Sequence, residues 1–105
     1  MPTHVTVGPF RFKLLAMTTE YANATKRQGE IDFQIGAIRL WPGMCPQGIA
    51  ETLMHEILHA CWRVADLDDD MSEEKVVSAL SMQLMATMAR NPDVFAWMRR
   101  QSSGR

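Results

Sequence analysis

The sequence predicts an α+β domain: a short antiparallel β-sheet of two to four strands, then two main helices and a short C-terminal helix. Three observations predict it. The first forty residues carry alternating or β-branched apolar patterns, seen in "HVTV", "FRFKLLAM" and "EIDFQI". From Pro46 onward the apolar residues recur at helical spacing instead. Trp41-Pro42-Gly43 stands between the two patterns as a break. The 105 residues fit one domain, spanning 1–105, and can bury a core without disulfides.

Each element has its own local reason. Gly8-Pro9 separates "HVTV" from "FRFKLLAM" and marks a turn. "TTEYANATKRQG" is polar and reads as a loop or a short helical turn. "EIDFQI" places Ile31, Phe33 and Ile35 on one face of a strand, and "AIRLW" follows Gly36 as the next. The first main helix should run from about Pro46 to about Ala65, with proline tolerated in its first turn. "DLDDDMS" is an acidic connector. The second helix begins near Ser72 and ends near Arg90, before Asn91-Pro92. "PDVFAWMRR" predicts a short third helix packing Phe95, Trp97 or Met98, and the basic end "MRRQSSGR" reads as frayed and solvated.

Composition excludes several classes. A net charge of −1 gives no electrostatic footprint for nucleic acid or an anionic membrane. No apolar run reaches the length of a membrane span, and "MPTHVTVGPF" lacks the pattern of a signal peptide. Cys45 and Cys61 are too few for a disulfide framework and do not form a C-x-x-C pair. They read as reduced thiols of a cytoplasmic protein, Cys61 in the core.

The chemistry-bearing stretch is "ETLMHEILHACW", with His55, Glu56 and His59 in the order H-E-x-x-H. Residues four apart share a helix face, so two imidazoles converge on one ion, and the intervening glutamate reaches a water beside it. By composition alone this pattern arises in roughly 0.5% of such chains. On a helical wheel His55, His59, Thr52, Arg63 and Glu56 fall within about 100°. Ile49, Ala50, Leu53, Ile57, Ala60, Cys61 and Val64 take the other side. A narrow polar stripe on an apolar helix predicts a cleft floor.

A catalytic zinc takes a third protein ligand and leaves a fourth position for water. His4, the only other histidine, lies near a terminus expected to fray, and none follows His59 at short spacing. Glu73 and Glu74 open the second helix and are the candidates. Both also suit an ordinary helix start, where acidic residues favour the dipole and Asp70 with Glu73 forms a capping-box-like pair. Wheel geometry does not choose between them.

"TLMHEILHA" followed by "EKVVSALSMQLM" resembles the minimal gluzincin metallopeptidases of the ImmA/IrrE type and the small H-E-x-x-H proteins of phages and prophages. That family places a β-sheet before the motif helix and takes a glutamate from the next helix in a pattern like E-x-x-A-x-x-F-A. Glu74, Val77, Leu80 and Ser81 match it as E-x-x-V-x-x-L-S. The resemblance therefore implies Zn²⁺ on His55, His59 and Glu74, with Glu73 the alternative, and Glu56 as the general base. It implies a zinc-dependent peptidase acting on a protein or peptide in a bacterial or phage-infected cell. The edge of "GEIDFQIGAIRL" would take up the substrate as an extended strand. The sequence departs from the family in lacking its accompanying DNA-binding domains. No oxyanion-stabilising residue is evident; Tyr21 and Arg63 are the candidates. The alternative function is a non-catalytic, zinc-stabilised binding protein or phage accessory component.

Overall fold

The computed structural model describes residues 1–103. Strands β1 (His4–Val7) and β2 (Phe10–Ala16) form a hairpin around Gly8-Pro9. Helix α1 (Thr19–Thr25) leads to β3 (Gly29–Asp32), and β4 (Ala37–Leu40) follows. Three helices complete the chain: α2 (Pro46–Val64), α3 (Glu73–Arg90) and α4 (Pro92–Ser102). The α+β class is therefore as the sequence predicts.

The strand order is β1-β2-β4-β3. The sheet is mixed rather than antiparallel, because β2 and β4 run parallel in its centre. The cause is the α1 crossover. It carries the chain past the position next to β2, so β3 forms at the outside and β4 returns between them. The predicted strand through Ile35 also ends early. The Asp32 carboxylate accepts hydrogen bonds from the backbone N–H of Gln34 and Ile35, which turns the chain, and Gly36 completes the turn at φ +68°. Ile35 is consequently exposed.

One face of the sheet carries Val5, Val7, Phe12, Leu14, Ile38 and Leu40 into the core. Helix α2 covers that face with Ala50, Leu53, Ile57, Ala60 and Cys61. Burying side chains such as Leu53 and Ile57 stabilises the fold by roughly 1.5–3 kcal/mol each. Helix α4 adds Val94 and Met98 against α2. The basic end is thus not frayed: residues 99–102 continue α4, because Met98 anchors it from below. The last two residues of "MRRQSSGR" lie outside the described residues. His4 likewise starts a paired strand rather than a loose end, opposite Lys13.

The edge strand β1 is sealed by one side chain. Asn91, at the junction of α3 and α4, is buried. Its Oδ1 accepts the Thr6 N–H at 2.8 Å, and its Nδ2 donates to the Thr6 carbonyl at 2.7 Å. Nδ2 also donates to the Thr87 carbonyl at 2.8 Å. The amide therefore acts as a one-residue strand partner and ties the helices to the sheet. Replacing Asn91 by Ala leaves the Thr6 groups without partners and should cost about 2–3 kcal/mol. Urea denaturation measures this; a loss below about 0.5 kcal/mol would show that the bracket carries little stability.

Candidate metal centre

Helix α2 starts cleanly because Pro46 stands in its first turn, where a missing N–H costs nothing. Its apolar residues fix the rotation of the helix on the sheet. The opposite stripe then points along the sheet's outer edge, beside β3. There it lines a cavity of about 770 Å³ with Arg27, Gln28, Gly29, Glu30, Ile31 and Phe33 on one side and Glu51, Thr52, His55, Glu56, His59, Trp62 and Arg63 on the other. The polar stripe is the floor of a cleft, as its pattern predicts.

The approach of β3 to α2 is close. A Cβ on Gly29 would overlap the Thr52 Cγ2 methyl, so only glycine fits there without a shift. Along β3, Trp41 N–H donates to the Gln28 carbonyl, and Glu30 lies opposite Arg39 in the same register. Hydrogen-bonded pairs alternate in an antiparallel ladder, so the N–H and C=O groups of Gly29 and Ile31 point away from β4. They form an open strand edge along the cavity.

His55 and His59 are exposed, and their Nε2 atoms stand 3.1 Å apart. The rings meet edge to face at 74° with centroids 4.7 Å apart. Two imidazole nitrogens this close either share one N–H or are arranged to share one cation. At ordinary zinc–nitrogen distances, 3.1 Å subtends about 100° at the ion, near the tetrahedral value. One ligand atom from each of His55, Glu56 and His59 lies within 4.8 Å of the others, and this is the one such metal-capable group among the described residues.

Glu56 is buried, and among the described residues its carboxylate accepts no hydrogen bond from the protein. Burial pushes its pKa above the ordinary carboxylate value; His59 and His55 pull it back, while Glu30 adds a smaller upward push. A carboxylate held this way is a proton acceptor of raised basicity facing the cleft.

Other predicted residues fall elsewhere. Glu73 and Glu74 are exposed in the first turn of α3 and do not belong to the His55–Glu56–His59 group. The residue of α3 that does reach the histidines is Leu80, which lines a second, apolar hollow with His55, Leu58, His59 and Trp62. Glu73 stands two turns before Leu80 on the same stripe; Glu74 is rotated about 100° from Glu73. The α3 cap is Ser72, whose hydroxyl accepts the Lys75 N–H at 3.4 Å, rather than an Asp70–Glu73 pair. Tyr21 is not at the cleft. Its hydroxyl donates to Glu30 at 3.0 Å, and it lines a different hollow with Arg39. Arg63 does line the cleft.

Sequence reasoning missed Glu51, and it placed Gly29 and Phe33 in the strand edge without their individual roles. Glu51 was legible in principle, since it precedes His55 by one helical turn. The roles of Gly29 and Phe33 were not, because they depend on where β3 docks.

Comparison with family models, curated proteins and solved structures finds no match to this chain.

Two outcomes test this geometry. Gly29→Ala should destabilise by about 1–3 kcal/mol through overpacking, and Thr52→Ser in the same chain should restore most of it. Denaturation of the two single variants and the double variant measures this; no coupling would mean β3 does not rest on Thr52. Glu56 sets a pH dependence in the metal-free protein. Its folded-state pKa is raised, so the unfolded chain ionises first as pH climbs past about 4.5, and native stability falls through that window. Glu56→Gln should therefore raise the melting temperature at neutral pH, with the advantage vanishing below pH 4.5. An advantage independent of pH would contradict the assignment.

Proposed function

We propose that the protein is a zinc-dependent peptidase of the minimal gluzincin kind, working in the cytoplasm on a protein or peptide substrate. The observation that carries this reading is the convergence of the two histidine Nε2 atoms beside a buried glutamate, at the edge of an open strand. His55 and His59 would hold the ion, with Glu74 of α3, or Glu73, as the third ligand. Zinc there would lower the pKa of a bound water to about 7 and draw electrons from the scissile carbonyl.

The chain's own residues supply the rest. The open backbone groups of Gly29 and Ile31 would pair with an extended peptide and hold it along the cleft floor. Glu56 would take the proton of the attacking water and return it to the leaving amine. Burial pushes its pKa up, which favours taking the proton from that water. Trp62 and the β3 edge wall the cleft.

A second reading, a zinc-stabilised binding protein, is favoured by the exposed placement of Glu73 and Glu74 away from the histidines. Glu56→Gln separates the two. The peptidase reading expects one zinc per chain, retained in Glu56→Gln while cleavage falls at least about 100-fold, and lost in His55→Ala and His59→Ala. Elemental analysis and a peptide-library digest measure this. Protein that never takes up zinc would end both readings; zinc uptake with no peptide cut would favour the second. Substituting Glu73 and Glu74 singly by Gln should weaken zinc binding more than about tenfold at only one of them. If neither matters, α3 does not supply the third ligand.

A further inference from the structure

Arg63 follows His59 by one helical turn, about 6 Å along α2, and faces the same cleft. Its guanidinium carbon sits 4.2 Å from the centre of the Phe33 ring and 5.9 Å from that of Phe10. Phe33 is itself fixed, edge to face, by Phe10 and Phe12 at 5.5 and 5.7 Å. Stacking of this kind holds the planar cation in place but leaves its N–H edges free.

Those edges have no carboxylate partner among the described residues. The cleft's other arginine, Arg27, faces Glu30, as does Arg39 from the neighbouring strand. Among the described residues the Arg63 guanidinium takes part in no ion pair and donates no hydrogen bond to the protein. Arg63 is exposed, and a cation held over an aromatic ring, facing a cleft and without an ion pair among the described residues, is placed to receive an anion from outside. A guanidinium fork matches a carboxylate best, through two parallel N–H···O bonds.

We propose that Arg63 binds a carboxylate of the peptide that occupies the cleft. The proposal rests on the peptidase reading only for the direction of the peptide. An extended chain advances about 3.3 Å per residue, so the carboxylate would lie one to two residues from the bond held at the histidines. It comes either from the C-terminus of the peptide or from an acidic side chain. Arg63 is then a specificity residue rather than an oxyanion donor, since it sits a full turn beyond His59.

The test is a titration of the isotope-labelled full chain, metal-free, followed by the zinc-loaded Glu56→Gln protein, so that nothing is cleaved. Three probes are compared: acetyl-Ala-Phe-Ala with a free C-terminus, its C-terminal amide, and acetyl-Ala-Phe-Asp amide. The free acid should bind about tenfold more tightly than the plain amide and shift the Arg63 Nε–Hε resonance. An Asp amide that matches the free acid identifies a side-chain carboxylate; one that matches the plain amide identifies the C-terminus. Arg63→Gln should erase the preference with its circular dichroism and melting unchanged or slightly lowered, and Arg63→Lys should keep part of it. Equal affinity for all three probes, binding of none, or a preference that survives Arg63→Gln overturns the proposal. Failure of the peptidase reading shows separately, in zinc content and cleavage, because the carboxylate preference is read without either.

Discussion

Everything at the cleft follows from how α2 is buried. Leu53, Ile57, Ala60 and Cys61 have no exposed surface and lie against the core strands. Any rotation of the helix would lift one of them out, at roughly 25 cal/mol for each Å² of apolar surface re-exposed. The helix therefore has one orientation. Thr52, His55, His59 and Arg63 are carried to the edge of β3 because there is nowhere else for their stripe to go. Gly29 then permits the strand to come close enough for the two elements to share a cleft.

The two edges of the sheet are treated differently. At β1, the Asn91 amide occupies the outer backbone groups of Thr6, and Arg90 donates to the Gly8 carbonyl at 2.9 Å. The outward groups of Thr6 are closed to further pairing. At β3, Gly29 and Ile31 keep their outward backbone groups available. An open edge is a hazard for association unless something limits it. Here it is short, only four residues, and the turn set by Asp32 ends it. The strand is thus long enough to hold a few residues of an extended peptide and too short to template a sheet.

Much of this was legible in the sequence, and the limits have physical causes. The helices were readable because their signals are local: Pro46 at one start, Asn91-Pro92 at one end, and a 3.6-residue apolar repeat between. The polar stripe on α2 was readable for the same reason. The parallel pairing of β2 with β4 was not, since strand order is decided by where a crossover packs, which no local pattern encodes. The strand through Ile35 was over-read because alternation persists into a turn that the Asp32 side chain creates. The end of the chain was misjudged because "MRRQSSGR" was weighed by charge, while Met98 inside it buries against α2. At the site, spacing within one helix gave His55, Glu56 and His59 together. A ligand from a second helix depends on how the helices cross, and there the spacing argument has no purchase.

Glu56 and Arg63 are two charges the fold does not use in the ordinary way. Nothing in the packing of α2 calls for a carboxylate at Glu56; an amide would fill the same volume without the desolvation that raises its pKa. Among the described residues no charge pairs with the guanidinium of Arg63, which lies over the Phe33 ring. Structural charges normally find partners when they are held in place. Among the described residues these two have none, and they lie on the same stripe, on either side of His59. Glu56 is held at a desolvation cost, and the place where it is held is the cleft. A buried base and a cation with no ion pair among the described residues, on either side of His59, face something that enters from solvent.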